Sequence, residues 1–480
     1  MSKPACYLAL DQGSHGSKAA LFDAGGKLVA LAEVPLATRR PAPAFVEHDA
    51  EEVLDTLHGA IAEAIAQEGG HGAGIAGAGL AIQRSSIVCW DRNTGAALSP
   101  VISWQDRRNS AWLAAQALDP VRLRAITGLV ASPHYGASKL RWCLDHLPAV
   151  QAAQAAGRLS CGPLASFVLH RLLGERPFVV DPANAARTLL WELRSRDWSE
   201  ELLAACAIPR ACLPRSVPSR YAFGTLPLGP RAVPLTVVTG DQPAALFAWG
   251  EPGPGELFVN IGTGAFVQRV VPGSPPQVEG LLQSVAWQDG ERSFGVIEGT
   301  VNGAGAALEW LAAEHGTPLQ ELLDAAGRWL AECADPPWFV NGVGGLGSPW
   351  WTADCPIAFG SDADLASQAV AVLESIVFLL QVNIEAIRAA TDARLGRVGR
   401  VILSGGLARL DGVCQRVADL SGLPVERPAG IEATANGLAW LLSGTVPLAE
   451  APARCFQPAS RPRLHGRYLR WREALEAAIR

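Results

Sequence analysis

The chain has 480 residues, 49% of them hydrophobic and 18% charged, with a formal net charge of −6. That length exceeds what one hydrophobic core serves, so two large domains are expected, and the composition excludes an intrinsically disordered chain. No basic stripe is present, which excludes nucleic acid as a natural partner.

No apolar run is read as long enough to span a membrane, and the segment Met1 to Cys6 has no export-type pattern. A cytoplasmic protein without membrane contact is therefore expected. The ten cysteines are scattered and form no CxxC pair, so they read as reduced core thiols and not as a zinc site.

The start reads as a β-meander: a strand over 5–10, a polar turn over 11–16, a second strand over 19–22, the Gly25-Gly26 turn, and a third strand over 28–33. A helix over 51–67 follows, with Val53, Leu54, Leu57, Ile61 and Ile65 on one face. A similar unit is predicted halfway along the chain. It has a strand over 235–239, then Gly240-Asp241-Gln242 leading into a helix through 244–249. A strand over 257–260, the turn Gly262-Thr263-Gly264 and a strand over 266–271 complete it.

Pro218, Pro227, Pro230 and Pro234 mark irregular chain near a boundary expected at 220–236. The resulting division is 1–236, 237–450 and a tail, 451–480, read as a surface appendage. Late in the chain a strand over 398–403 turns at Ser404-Gly405-Gly406 towards a helix near 412–421.

Three Gly turns thus follow strands, after residues 10, 260 and 403. Such turns expose backbone N–H groups that bind phosphate, because glycine has no Cβ to block the approach. A Walker loop is absent: the run Gly13 to Lys18 is too short and lacks the closing Gly-Lys-Ser/Thr. A GxGxxG pattern after the first strand is absent too, so a nucleotide would bind through another architecture.

The motifs in chain order resemble the FGGY carbohydrate kinase family, most closely its glycerol kinase branch. They are Leu10-Asp11-Gln12-Gly13-Ser14, Phe45-Val46-Glu47-His48-Asp49, Gln83-Arg84, Trp104-Gln105-Asp106-Arg107-Arg108, and Asn184 with Arg187-Thr188. Ile208-Pro209, Leu213-Pro214, Gly240-Asp241-Gln242, Asn260 through Phe266, Gly345 through Pro349, Leu373-Glu374-Ser375 and Gly405-Gly406 continue the series.

The resemblance implies an α/β fold of two actin-like (ribonuclease H-like) domains flanking a cleft. It implies transfer of phosphate from ATP to a sugar or polyol hydroxyl. Asp241 would be the catalytic base and Asp11 the Mg²⁺ ligand. Gly13, Ser14, Lys18, Gly262, Thr263 and Gly264 would meet the ATP phosphates, with Gly405 and Gly406 near the adenosine. Arg84, Ser85, Trp104, His134, Gln242 and Phe266 would line the substrate pocket beside Asp241. A homodimer is implied on the same ground. By residue type alone, Asp241 also reads as a helix N-terminal carboxylate and Asp11 as a turn residue.

Two departures fall where glycerol hydroxyls would bind. Ser85 stands where that branch has Glu, and His134 where it has Tyr, with Tyr135 one position later. A site built to hydrogen-bond a hydroxyl discriminates strongly, so these changes point away from glycerol. A polyol or ketose of four or five carbons is expected instead. Leu410 and Val370 also differ from the branch, the first where an Asn often meets adenine.

Overall fold

The computed structural model describes residues 6–69, 74–228, 231–290, 292–430, 432–449 and 451–479. Ala5 and Pro230, used above for a strand start and for the boundary, lie outside them.

The meander forms as expected, with each strand one to four residues longer than its apolar run. It comprises β1 (Cys6–Gln12), β2 (Gly16–Asp23) and β3 (Leu28–Pro35). Helix α1 (Ala50–Gln67) starts at Asp49, whose carboxylate accepts from the N–H groups of Glu51 and Glu52 and so satisfies two orphan donors. Strands β4 (Ile75–Ile82), β5 (Ile87–Asp91), β6 (Arg220–Leu228) and β7 (Arg231–Gly240) follow, with helices α2 (Gly136–His146) and α3 (Leu164–Leu172) between β5 and β6.

The first large sheet has the order β6-β7-β4-β1-β2-β3. Strands β1, β4 and β7 run parallel, so their carboxyl ends lie side by side. The strand alternation puts Leu8, Leu10 and Leu21 on one face, against α1 and α3. Ala9, Ala20 and Ala81 face the other way.

The second half contains α4 (Asp241–Ala245), β8 (Glu256–Ile261), β9 (Ala265–Pro272), β10 (Leu282–Asp289) and β11 (Arg292–Val301). It continues with α5 (Gly305–Glu314), α6 (Leu365–Leu395), β12 (Arg400–Ser404), α7 (Asp411–Ser421), β13 (Val425–Arg427), α8 (Ala433–Ser443), β14 (Arg454–Phe456) and α9 (Pro462–Ala478). Its sheet has the order β10-β11-β9-β8-β12-β13-β14. Here β8 plays the part of β1: it pairs antiparallel with the next strand and parallel with β12. This is the duplicated α/β plan expected from the two Gly turns, of the actin-like kind that the resemblance implies.

Three expectations are corrected. The strand predicted to open the second half belongs to the first sheet, because β7 pairs parallel with β4 and antiparallel with β6; the change of sheet comes between Gly240 and Glu256. The tail is no surface appendage. In α9, Leu464, Tyr468, Trp471 and Leu475 enter the second core, and the Trp471 indole donates to the Phe339 carbonyl at 2.9 Å. Finally, α6 is long and apolar enough to cross a membrane by length and composition, but 89% of its apolar window is buried inside the protein. It is the central helix of the second core.

Helix α8 returns to the first sheet. Ala435, Leu438, Ala439 and Leu441 cover the face carrying Ala9, Ala20 and Ala81. Gly437 lets α8 lie against α4: a Cβ there would collide with the Ala244 carbonyl.

Candidate active site

The parallel strands deliver two acidic residues to one place. Asp11 lies near the end of β1, opposite Lys18 on β2. Asp241 follows β7 directly as the first residue of α4. Burial, and then the Asp241 charge, push the Asp11 carboxyl up to about 7, with Lys18 pulling the other way. One Asp11 oxygen, Oδ1, is buried and has no hydrogen-bond partner. Burial also raises Asp241, while Arg84 and the Gln242 N–H hold it back; that N–H donates to Asp241 Oδ1 at 2.8 Å.

Two further residues belong here that the sequence reading did not single out. Lys18 Nζ donates to Glu432 at 2.9 and 3.1 Å, and Glu432 adds to the negative field on Asp11. The Thr434 hydroxyl reaches the Asp241 carbonyl at 3.5 Å. Both lie at the start of α8, so that helix closes the acidic corner from behind.

The residues expected to line the acceptor pocket come from several loops. Arg84 Nη2 donates to Gln242 Oε1 at 2.5 Å, and Gly240 leaves the room that the Arg84 stem fills. Burial, and then repulsion by Arg187, lower the Arg84 guanidinium to about 10. Ser85 adopts a left-handed backbone, φ 64°. The Trp104 indole donates to Ser14 Oγ at 2.8 Å and meets the His134 ring edge-on at 5.5 Å. Ser14 Oγ donates in turn to Gln83 at 3.3 Å. The Ser14 hydroxyl, expected on phosphate, is thus bonded to Trp104 and Gln83.

Lys139 is a further residue missed from sequence. It is fully buried, and its Nζ donates to the carbonyls of Ser85 at 3.1 Å and His134 at 2.7 Å. It thus ties together the two loops that carry the unusual residues.

On the second sheet, Phe266 pairs with Thr300 and Gln268 with Glu298, so Phe266 and Gln268 share a face. Glu298 accepts from Gln268 at 2.7 Å and from Arg187 of the first half. The two halves also meet where Gln283 N–H donates to the Gly128 carbonyl at 2.9 Å.

The Gly262-Thr263-Gly264 turn sits at the start of α5. Its carbonyls accept from the N–H groups of Ala304, Gly305 and Ala306 at 2.9 to 3.2 Å, and the Gly262 N–H donates to the Gly264 carbonyl at 2.9 Å, which fixes the turn. Gly405, φ 95°, packs on the Ile261 backbone where any Cβ would collide, and Asn260 Nδ2 donates to Ser404 Oγ at 3.1 Å. The second and third Gly turns are therefore neighbours, joined by the β8–β12 pairing.

Two actin-like domains, with acidic residues at the strand ends of one and Gly turns on the other, are the arrangement expected of a phosphotransferase. The family models agree: the N-terminal domain of the FGGY family of carbohydrate kinases matches residues 6–248, and its C-terminal domain matches 257–443. The chain belongs to that family and is a carbohydrate kinase, an enzyme class that phosphorylates hydroxyl groups and uses ATP.

Among curated relatives, glycerol kinase of Alkalilimnicola ehrlichii is 35% identical, the match covering 98% of each chain. The fold is similar to that of Plasmodium falciparum glycerol kinase (TM-score 0.86, 20% identity, 99% of each chain). It is also similar to a xylulose kinase of Brucella ovis (TM-score 0.86, 24% identity, 98% of this chain and 99% of the other).

Proposed function

We propose that the chain transfers the γ-phosphoryl group of ATP to a hydroxyl of a polyol or ketose of four or five carbons, with Asp241 as general base. The observation that carries this reading is the placement of Asp241. It heads α4 beside Gln242, with Arg84 on the acceptor side and Asp11 across the strand ends.

A carboxylate there orients the acceptor hydroxyl and takes its proton. Burial makes it a stronger base than a solvated Asp. Arg84 and Gln242 position the acceptor, while Trp104 and Phe266 wall its carbon skeleton. The loop residues Gly13, Gly262, Thr263 and Gly264, with Lys18, approach the phosphates, and Gly405 and Gly406 lie towards the adenosine.

Asp11 suits Mg²⁺: it offers a hard carboxylate oxygen that is buried without a partner, next to a second carboxylate. When bound, the metal neutralises charge on the phosphate oxygens. The near-complete burial of Arg84 and Ser85 fits a cleft that closes and excludes water, the competing nucleophile. A cytoplasmic location, where ATP is supplied, agrees with this reading.

The names of the curated relatives favour glycerol itself as a second reading. Ser85 and His134 favour a different acceptor. ADP release from Mg-ATP should be measured against glycerol, four- and five-carbon polyols and ketopentoses. One acceptor other than glycerol is expected to give the highest kcat/KM. Asp241→Asn is expected to lower kcat at least ~10²-fold, the usual scale of general-base catalysis. A variant as active as the parent would remove the base assignment, and glycerol as best acceptor would establish the second reading.

A further inference from the structure

Lys139 stands where a lysine is out of place. It lies in the first turn of α2 and is 0% exposed, and the positive end of the helix dipole disfavours a cation there. Among the described residues it makes no ion pair. Its Nζ instead donates to two backbone carbonyls, of Ser85 at 3.1 Å and of His134 at 2.7 Å. Burial, ahead of every nearby charge, pushes the amine well below its usual range. An uncharged amine has two N–H groups, and both are used here.

The two carbonyls belong to different loops. Among the described residues, Lys139 is the one hydrogen-bonded link between the segments 83–86 and 132–135. Ser85 has φ 64°, a backbone that a residue with a Cβ keeps only where its surroundings hold it. Lys139 bonds the carbonyl of that same residue. Side chains of a helix lean back towards its N-terminus, which gives Lys139 the reach. Gly136 lets the head of α2 lie close to both Ile87 and Thr188, whose nearest atoms stand 3.0 and 3.4 Å from where a Cβ would be.

We infer that Lys139 positions the acceptor site: by holding the Ser85 and His134 carbonyls on one amine, it fixes the gap between those two residues and so selects which acceptors fit. This deepens the kinase reading above and rests on its placing of Ser85 and His134 beside the acceptor. Lys139 acts through the two backbones, not by contact with the reacting atoms.

Lys139→Met and Lys139→Gln have side chains of equal length, and Gln alone keeps two N–H donors. For each, KM should be measured for the best acceptor and for ATP, with kcat/KM across glycerol, the polyols and the ketopentoses. In Lys139→Met the acceptor KM is expected to rise about 10- to 100-fold, the scale for groups displaced by about 1 Å. The KM for ATP stays as in the parent, and the preference among acceptors flattens. Lys139→Gln is expected to recover part of both losses. Amide hydrogen exchange needs no turnover: in Lys139→Met, residues 84–87 and 134–136 are expected to exchange faster together, and residues 262–264 as in the parent.

A Met variant that is only less stable, with acceptor KM and preference unchanged, overturns the inference and leaves the kinase reading intact. Equal rises in acceptor and ATP KM overturn it too, since they report a general loosening. If Lys139→Met does not fold, Lys139→Gln decides, because its reach is shorter than that of lysine. A changed acceptor preference at constant ATP KM then upholds the inference, and an unchanged one overturns it. If glycerol is the best acceptor of the parent, the four- or five-carbon reading falls, and the same comparison run on glycerol still decides the role of Lys139.

Discussion

Arg187 of the first half and Glu298 of the second meet across the cleft: one guanidinium nitrogen donates to both carboxylate oxygens, at 2.8 and 2.9 Å, with 5% and 0% of the side chains exposed. Glu298→Gln would leave a buried Arg187 beside Arg84 without a counter-charge. A loss of roughly 3 to 5 kcal/mol is expected, the usual cost of breaking a buried pair from one side. Chemical denaturation measures it. Replacing both residues by apolar ones of similar volume is expected to recover most of the loss. If Glu298→Gln is neutral, the pair does not hold the two halves together.

Asp11 makes stability depend on pH. Its carboxyl is raised from 3.8 to about 7 in the folded protein, so the fold binds more protons than the unfolded chain between those values. Its ionisation opposes folding. The penalty is absent below about pH 4, grows as pH rises, and is complete above about pH 7, where it is of order 4 kcal/mol. Asp11→Asn is therefore expected to raise Tm at pH 8 and to leave it unchanged at pH 3.5 to 4. Mg-ATP, which favours the ionised form, is expected to raise the Tm of the parent more than that of the variant. Equal shifts would argue against Asp11 as the metal ligand.

Lys18 reaches its place on β2 already paired to Glu432. On the function proposed above, nucleotide phosphate competes with that carboxylate for the ammonium group. Lys18→Met is expected to raise the KM for ATP about 10- to 100-fold, the equivalent of one hydrogen bond to a charged group, with little change in acceptor KM. Glu432→Gln is expected to lower the KM for ATP. Steady-state kinetics with each substrate varied in turn checks both. An acceptor-only effect of Lys18→Met would place the residue outside the nucleotide site.

Trp471 fills the second core and keeps its indole N–H bonded at 2.9 Å. Trp471→Ala is expected to cost roughly 3 to 5 kcal/mol, the range for emptying a large aromatic site. Acceptor and ATP KM should not change in the fraction that remains folded. Thermal denaturation with parallel kinetics measures this. An undiminished Tm would mean that α9 only rests on the domain.

The local parts of this architecture are legible in the sequence. The alternation in β1 to β3, the Asp49 cap of α1 and the Gly turns each write their geometry into adjacent residues. The placing of β7 is not, because its partner β4 lies some 150 positions earlier in the chain and a parallel pairing leaves no local trace. The same holds at the site. The Gly turns stand out by their place after strands, and Asp11 and Asp241 through the resemblance of their motifs, whereas Glu432 meets Lys18 across 414 positions and Glu298 meets Arg187 across 111. Lys139 hides inside an ordinary amphipathic helix, and only its two carbonyl partners reveal it. The tail reads as polar because its arginines outnumber the four residues that turn inward.

Helix α8 has a consequence for how the protein is made. The face of the first sheet that carries Ala9, Ala20 and Ala81 is covered by residues 435–441, which are translated long after it. A ribosome delivers the chain from its amino end, and domains generally fold as they emerge. Here the first sheet emerges with one apolar side bare and stays so until residues 435–441 have followed. A nascent chain halted at residue 250 is thus a natural client for a chaperone, and separately expressed halves need each other before either is soluble.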